Sequence, residues 1–203
     1  PRFLHSFPTR RSSDLDRKLE FWVTADGKES GRDKGTTHIN VLGYAIAKFW
    51  PETHQRYKGT STYMNYIFFR YAEILLNFAE AQNEVGGPES SLEGLSVREV
   101  LTELRARVGQ VPIPEDISDS RESMRERIYN ERAVELCFEE HRWYDVLSWH
   151  KGVEYFNKDI YGIRAVKNAD GSFTYSREKY ESATFKEHMH LYPIPNNEVY
   201  KSA

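Results

Sequence analysis

One amphipathic segment, Arg70 to Val85 (RYAEILLNFAEAQNEV), limits what this chain can fold into. Tyr71, Ile74, Leu75, Phe78 and Ala79 recur at the spacing of one helical face; the stripe thins at Gln82 and closes at Val85. Ala72, Ala79 and Ala81 are small enough to admit a neighbouring helix. Gly86-Gly87-Pro88 then ends the run. The next segment repeats this logic. Ser96-Val97-Arg98-Glu99 spells a capping box, in which the Ser96 hydroxyl accepts the Glu99 amide and the Glu99 side chain reaches back. Val97, Val100, Leu101, Leu104 and Val108 line one face. Gly109, Pro112 and Pro114 stop it. Two such helices in tandem predict a helical hairpin, which is a scaffold rather than a catalytic motif.

The hairpin is similar to one tetratricopeptide unit. Leu76, Ala79, Asn83 and Gly86 fall near its small and turn positions, although the connecting loop is longer than that repeat allows. Asp119 and Glu122 mark the start of a third helix running to about Glu139, and His141 to Trp149 continue helically or after a short break. Lys151-Gly152 reads as a stop. Leu19 to Thr24 reads as a strand, Ala25 to Thr37 as a long loop or hairpin tip, and Ile39 to Trp50 as a possible return strand. Pro51 to Met64 is an aromatic-studded loop. Asn168-Ala169-Asp170-Gly171, between Ile163–Lys167 and Ser172–Tyr175, is a hairpin signal. Pro193 and Pro195 force an extended path, with Asn196, Asn197 and Glu198 poised to cap a short turn.

Composition narrows the function classes. With 14% aromatic residues the chain is not a disordered segment, and a net charge of -3 with interspersed signs offers no nucleic-acid surface. A lone cysteine, Cys137, excludes an internal disulfide framework and is expected to be packed within a helix. No apolar run approaches the roughly 20 residues of a membrane helix. His5 to Leu15 (HSFPTRRSSDL) resembles the translation of a common sequencing adapter, so residues 1–15 are expected to be an artefactual segment. On that reading residues 16–203 are the native part, and the true N-terminus, with any signal peptide or lipid-attachment cysteine, lies elsewhere.

Four motifs then converge. RYAEILLNFAEAQNE (70–84), LTELRARVG (101–109), IYNERAVELCFEEHRWYDVLSW (128–149) and LYPIPNNEV (191–199) occur in the order in which the SusD/RagB family carries similar segments. Cys137 and Glu140 stand where that family's pattern has Ala and Gly. The resemblance implies the C-terminal part of a SusD-like domain. The fold would be mainly α, a tetratricopeptide-like scaffold with irregular loops and short β-hairpins. It also implies a non-catalytic protein of the Bacteroidetes cell surface. Such a protein binds an oligosaccharide or polysaccharide, or sometimes a peptide, for a SusC-like TonB-dependent outer-membrane transporter. Membrane contact would come only through an N-terminal lipid anchor.

Trp50, Tyr57, Tyr63 and Tyr66 offer flat faces on which the C–H patch of a pyranose stacks, and His54, Gln55, Arg56 and Asn65 could bond its hydroxyls. They are the expected ligand-binding residues, against the alternative that they pack the loop onto the scaffold. Trp143, Tyr144 and Trp149 are expected in the core. Glu131, Glu135 and Glu139 recur every four residues. They are either a carboxylate pair for glycoside hydrolysis or a structural network answered by Arg127, Arg132, Arg142 and His141. The structural reading is adopted, with no catalytic residue expected. His188 and His190, alternating on a strand, could with His141 or His150 offer ligands to zinc, yet a surface pair is the simpler reading and no metal or cofactor is expected. Residues 168–171 lack the acids that complete a calcium loop. A tetratricopeptide-type protein-interaction adaptor and a glycoside hydrolase remain as alternatives to glycan capture.

Overall fold

The computed structural model describes residues 9–12, 17–31, 42–44, 48, 63, 66–114 and 120–201. The chain divides into two compact units, one formed by residues 65–145, the other by residues 2–64 with 146–203.

The first unit is helical. Helix α1 (Tyr71–Gly86) packs against α2 (Val97–Ala106) and α3 (Arg121–Glu135). The helical hairpin is as the periodicity predicts, but the buried face of α1 is rotated by one position. Ala72, Leu75, Leu76, Ala79 and Asn83 are buried, while Tyr71, Ile74 and Val85 face outward and Ala81 is exposed. The small alanines, not the large aromatics, set the contact line, because two other helices pack against α1. Val97, Val100, Leu101 and Leu104 of α2 and Met124 and Ile128 of α3 complete the core, joined by Ile113 and Leu136. Val108 lies past the helix end and is exposed. A two-residue hairpin, β4 (Ser91–Leu92) with β5 (Leu95–Ser96), fills the long α1–α2 connection.

Caps fix where the helices start. Ser96 and Glu99 close the expected capping box of α2, with the Glu99 carboxylate accepting the Ser96 amide at 2.7 Å. For α3 the cap is Ser120 with Ser123, and not the D-x-x-E pair at Asp119 and Glu122; Asp119 is outside the described residues. Helix α3 also ends earlier than expected, at Glu135. Phe138 (φ 63°) and Glu140 (φ 66°) both adopt the left-handed region and break the run before α4 (His141–Ser148). Cys137 therefore sits half-buried in a turn, not in a helix.

In the second unit, β3 (Trp22–Thr24) pairs in parallel with β6 (Asp159–Lys167), which forms an antiparallel hairpin with β7 (Phe173–Ser182). The hairpin falls where the Asn-Ala-Asp-Gly signal put it. Gly171 (φ 83°) donates to the Asn168 carbonyl, and Asp170 accepts the Ser172 amide at 2.9 Å. The segment after Thr24 turns back within seven residues, with Gly31 donating to the Trp22 carbonyl. A further hairpin joins β1 (Thr9–Ser12) to β2 (Arg17–Glu20). Lys151-Gly152 is not a stop: Gly152 opens the short helix α5 (Gly152–Phe156), and His150 (φ 55°) makes the break. The Phe185 ring explains the glycine, because a Cβ at 152 would lie 2.2 Å from it. Helix α6 (Asn196–Lys201) follows the Pro-Ile-Pro run, with Glu198 donating its amide to the Pro195 carbonyl. No helix among the described residues is long and apolar enough to cross a membrane.

The capping geometry yields a direct prediction. Ser96→Ala should cost about 1 kcal/mol, the usual value of a lost serine cap, read as a lower urea midpoint with an unchanged slope. An unaltered midpoint would mean that α2 is held by its buried face alone.

Candidate functional site

Two places concentrate chemistry. In the helical unit, arginines and carboxylates knit the helices together. Arg70, the residue before α1, donates from Nε and Nη2 to the two Glu139 oxygens at 2.8 Å, and from Nη1 to Glu135 at 2.6 Å. Its Nη2 also reaches the Glu135 carbonyl at 2.7 Å. Arg107 adds a second bond to the Glu135 carboxylate at 2.6 Å. Glu131 is paired with Arg105 and, at 3.1 Å, with Arg127. The buried Arg132 pairs with Asp145 at 2.8 Å and donates to Asn77.

The expected network is therefore present with different partners. Arg127 does answer Glu131. Arg132 serves Asp145 instead, and His141 lies 3.6 Å from Glu73. The cations for Glu135 and Glu139 come from Arg70 and Arg107, outside the acidic segment. Partial burial pushes the Glu135 carboxyl up, but Arg70 and Arg107 outweigh it and hold it below its ordinary value. A general acid needs the opposite shift. Glu140 accepts the Tyr66 hydroxyl at 2.9 Å, which pushes that hydroxyl up.

The second place is an open cleft of about 420 Å³ in the β-containing unit, lined by Tyr44, Asp159, Tyr161, Gly162, Ile163, Ser176 and Arg177. Leu42 to Tyr44 run alongside β6, with the Ile163 amide donating to the Leu42 carbonyl at 2.9 Å. Two glycines permit that approach. A Cβ at Gly162 would lie 2.9 Å from the Leu42 Cα, and one at Gly43 (φ 72°) would lie 2.4 Å from the Ile163 carbonyl oxygen. Tyr44 is thereby set at the edge of the sheet. On the sheet face, Tyr161 and Arg177 meet across the β6–β7 pair, the guanidinium lying 3.7 Å from the ring centre. A register shift between Ile160 and Tyr161 leaves Tyr180 as the extra residue of β7 and re-aims this end of the hairpin. Asp159 accepts from Lys179 and Ser182, both at 2.8 Å; these bonds hold its carboxyl below its ordinary value.

Of the expected ligand contacts, Trp50 and Tyr57 are outside the described residues, as are His54, Gln55, Arg56 and Asn65. Tyr63 is fully exposed, and Tyr66 is exposed with its ring edge-on to Phe68 at 5.1 Å. Neither lines the cleft. Trp143 and Tyr144 are exposed, not in the core, and Trp149 is half-buried. The two-residue alternation of β7, which puts Tyr175, Arg177 and Lys179 on one face, was the available signal for the cleft.

The H-x-H pair lies on a 3-10 turn (Glu187–His190), not on a strand, so the two rings do not share a face. His188 is exposed, whereas the His190 ring is buried beside His150. His150, Glu187 and His190 bring ligand atoms within 4.8 Å of one another. Both His190 nitrogens are already engaged, Nδ1 with the Glu187 carbonyl at 2.8 Å and Nε2 with the Gly152 amide at 3.1 Å. The ring ties the 3-10 turn to α5.

The sequence profile of the SusD family matches residues 13–203. The chain belongs to the SusD family. SusD-like protein P2 of Formosa agariphila is 38% identical over 120 residues, covering 58% of this chain and 23% of that protein. SusD-like protein P38 of the same organism is 36% identical over 91 residues, covering 44% of this chain and 18% of that protein. The crystal structure of a SusD-like protein from Bacteroides fragilis superposes with a TM-score of 0.56 at 33% identity, covering 68% of this chain and 24% of that one. The matched segments thus span about a fifth to a quarter of the length of these SusD-like proteins.

Arg132→Ala leaves the buried Asp145 carboxylate without its cation and should cost about 3–5 kcal/mol, measured by chemical denaturation. A loss below 1 kcal/mol would show that water reaches Asp145. The carboxyls also set the acid limit. Arg125 lowers Glu84, and Arg70 with Arg107 lowers Glu135. Their contribution is full above the unfolded carboxylate value of about 4.3 and is lost as pH falls through the depressed folded values. Stability should therefore be flat above about pH 5 and fall below about pH 4, with a shallower fall in Arg70→Gln.

Proposed function

We propose that this chain is the glycan-binding part of a nutrient-uptake protein that captures a saccharide at the cell surface without breaking a bond in it. Membership of the SusD family supports the class of function. The observation that carries the reading is the cleft itself, an open cavity with two exposed tyrosine rings beside Asp159, Ser176 and Arg177. Aromatic faces take the C–H patches of a sugar ring, and the polar groups take its hydroxyls. The acids that would be needed for hydrolysis are held by arginines, which supports binding over catalysis. Tyr63 and Tyr66 remain proposed contacts in their own right. Delivery to a SusC-like TonB-dependent transporter and anchorage to the outer membrane by a lipid are the corresponding proposals for the whole protein.

The 203-residue chain should be retarded in native gels containing its polysaccharide, with oligosaccharide binding read by calorimetry. Tyr44→Ala should weaken binding about tenfold, the loss of one good ring contact. Retardation by no polysaccharide, together with binding of unfolded peptides, would favour the adaptor reading.

A further inference from the structure

We propose that the cleft selects anionic glycans, with Arg177 engaging a ring carboxylate or a sulfate ester. This rests on the glycan-binding reading above and narrows its substrate class.

The inference comes from the charges of the cleft. Arg177 is fixed by Tyr161, whose ring lies under the guanidinium at 3.7 Å. A guanidinium stacked in this way keeps its N–H edges directed outward in the plane of the fork. Among the described residues no carboxylate is paired with Arg177. The contrast with the opposite face of the same hairpin is direct: there Arg164 is paired with Glu178 at 3.0 Å. The arginines joining α1, α2 and α3 are likewise committed to Glu131, Glu135 and Glu139.

The one acid lining the cleft does not answer Arg177. Asp159 is held by Lys179 at 2.8 Å and by the Ser182 hydroxyl. With the Asp159 and Lys179 charges opposed, the cleft is left with the positive charge of Arg177. A neutral sugar has no use for that cation beyond a hydroxyl bond. A carboxylate or sulfate presents two oxygens that match the fork bidentately. Tyr161 pre-orients the fork, so less side-chain freedom is lost on binding. Tyr44, on the neighbouring segment, supplies the second ring against which the sugar lies.

The test is calorimetric titration of the 203-residue chain with two matched pairs. One pair is tetragalacturonate and its methyl ester. The other is a sulfated galactan tetrasaccharide and its desulfated form. At about 50 mM NaCl at least one charged member should bind about tenfold or more tightly than its uncharged partner, and the advantage should shrink at about 300 mM. The pair that shows the advantage identifies carboxylate or sulfate as the group read. Arg177→Gln should bring the charged-to-uncharged ratio to near one, while Arg177→Lys, a point charge without the fork, should keep only part of it. An unchanged thermal melt of both variants shows that the exposed position is not a folding determinant. Equal binding of charged and uncharged partners, or an undiminished ratio in Arg177→Gln, would overturn the inference and leave glycan binding standing. Binding of no member, and of no other saccharide, would overturn the glycan reading itself and this inference with it.

Discussion

The grip of Arg70 on Glu135 and Glu139 is the constraint on which the helical unit depends. Three carboxylates at four-residue spacing repel one another on an isolated segment. Here Glu131, Glu135 and Glu139 are drawn together by Arg105 and Arg107 at the end of α2, Arg127 within α3, and Arg70 at the start of α1. Buried ion pairs add little net stability over apolar contacts of the same shape, but breaking one leaves a charge without compensation. The network therefore acts as a register device. The bidentate Arg70–Glu139 pair, with both contacts at 2.8 Å, fixes the start of α1 against the turn that follows α3.

That grip also explains an unfavourable backbone. Glu139 reaches Arg70 from the turn Leu136–Glu140, which is shaped by two residues at positive φ, Phe138 and Glu140. Glycine is the residue that adopts such a conformation without a Cβ penalty. This chain places glutamate at 140, and its carboxylate accepts the Tyr66 hydroxyl. A backbone cost is offset by a contact that glycine could not make. A residue that looks unfavourable in its turn thus has a local compensation that only the three-dimensional arrangement reveals.

The helices were legible in the sequence because their signals are local. The Ser96–Glu99 box, the Gly86-Gly87-Pro88 stop and the Asn168–Gly171 turn each act within a few residues, and each appears where expected. The rotation of the α1 face was not legible. Tyr71 and Ile74 are larger and more apolar than Ala72 and Ala79, and only the presence of two packing partners makes the alanine line the buried one. The ionic partners were hidden for a similar reason. Arg70 lies 65 residues from Glu135, and nothing in the spacing marks the two as neighbours. The cleft was hidden most completely, because Tyr44 joins Tyr161 and Arg177, which share the β6–β7 hairpin, only through a backbone approach distant in sequence.

That approach makes the cleft part of the sheet's architecture. Gly43 and Gly162 face the partner segment's backbone at distances that leave no room for a side chain. A methyl group at either would push Leu42 to Tyr44 off β6 and carry the Tyr44 ring away from Arg177. The β-bulge at Tyr180 then turns the end of β7, so that Asp159 meets Lys179 and Ser182 and leaves Arg177 to Tyr161. Arginine pairs lock the helices of one unit. Glycine contacts and a bulge set a recognition surface in the other. Among the described residues, the Arg177 guanidinium is paired with no carboxylate and stacks on the Tyr161 ring at the cleft.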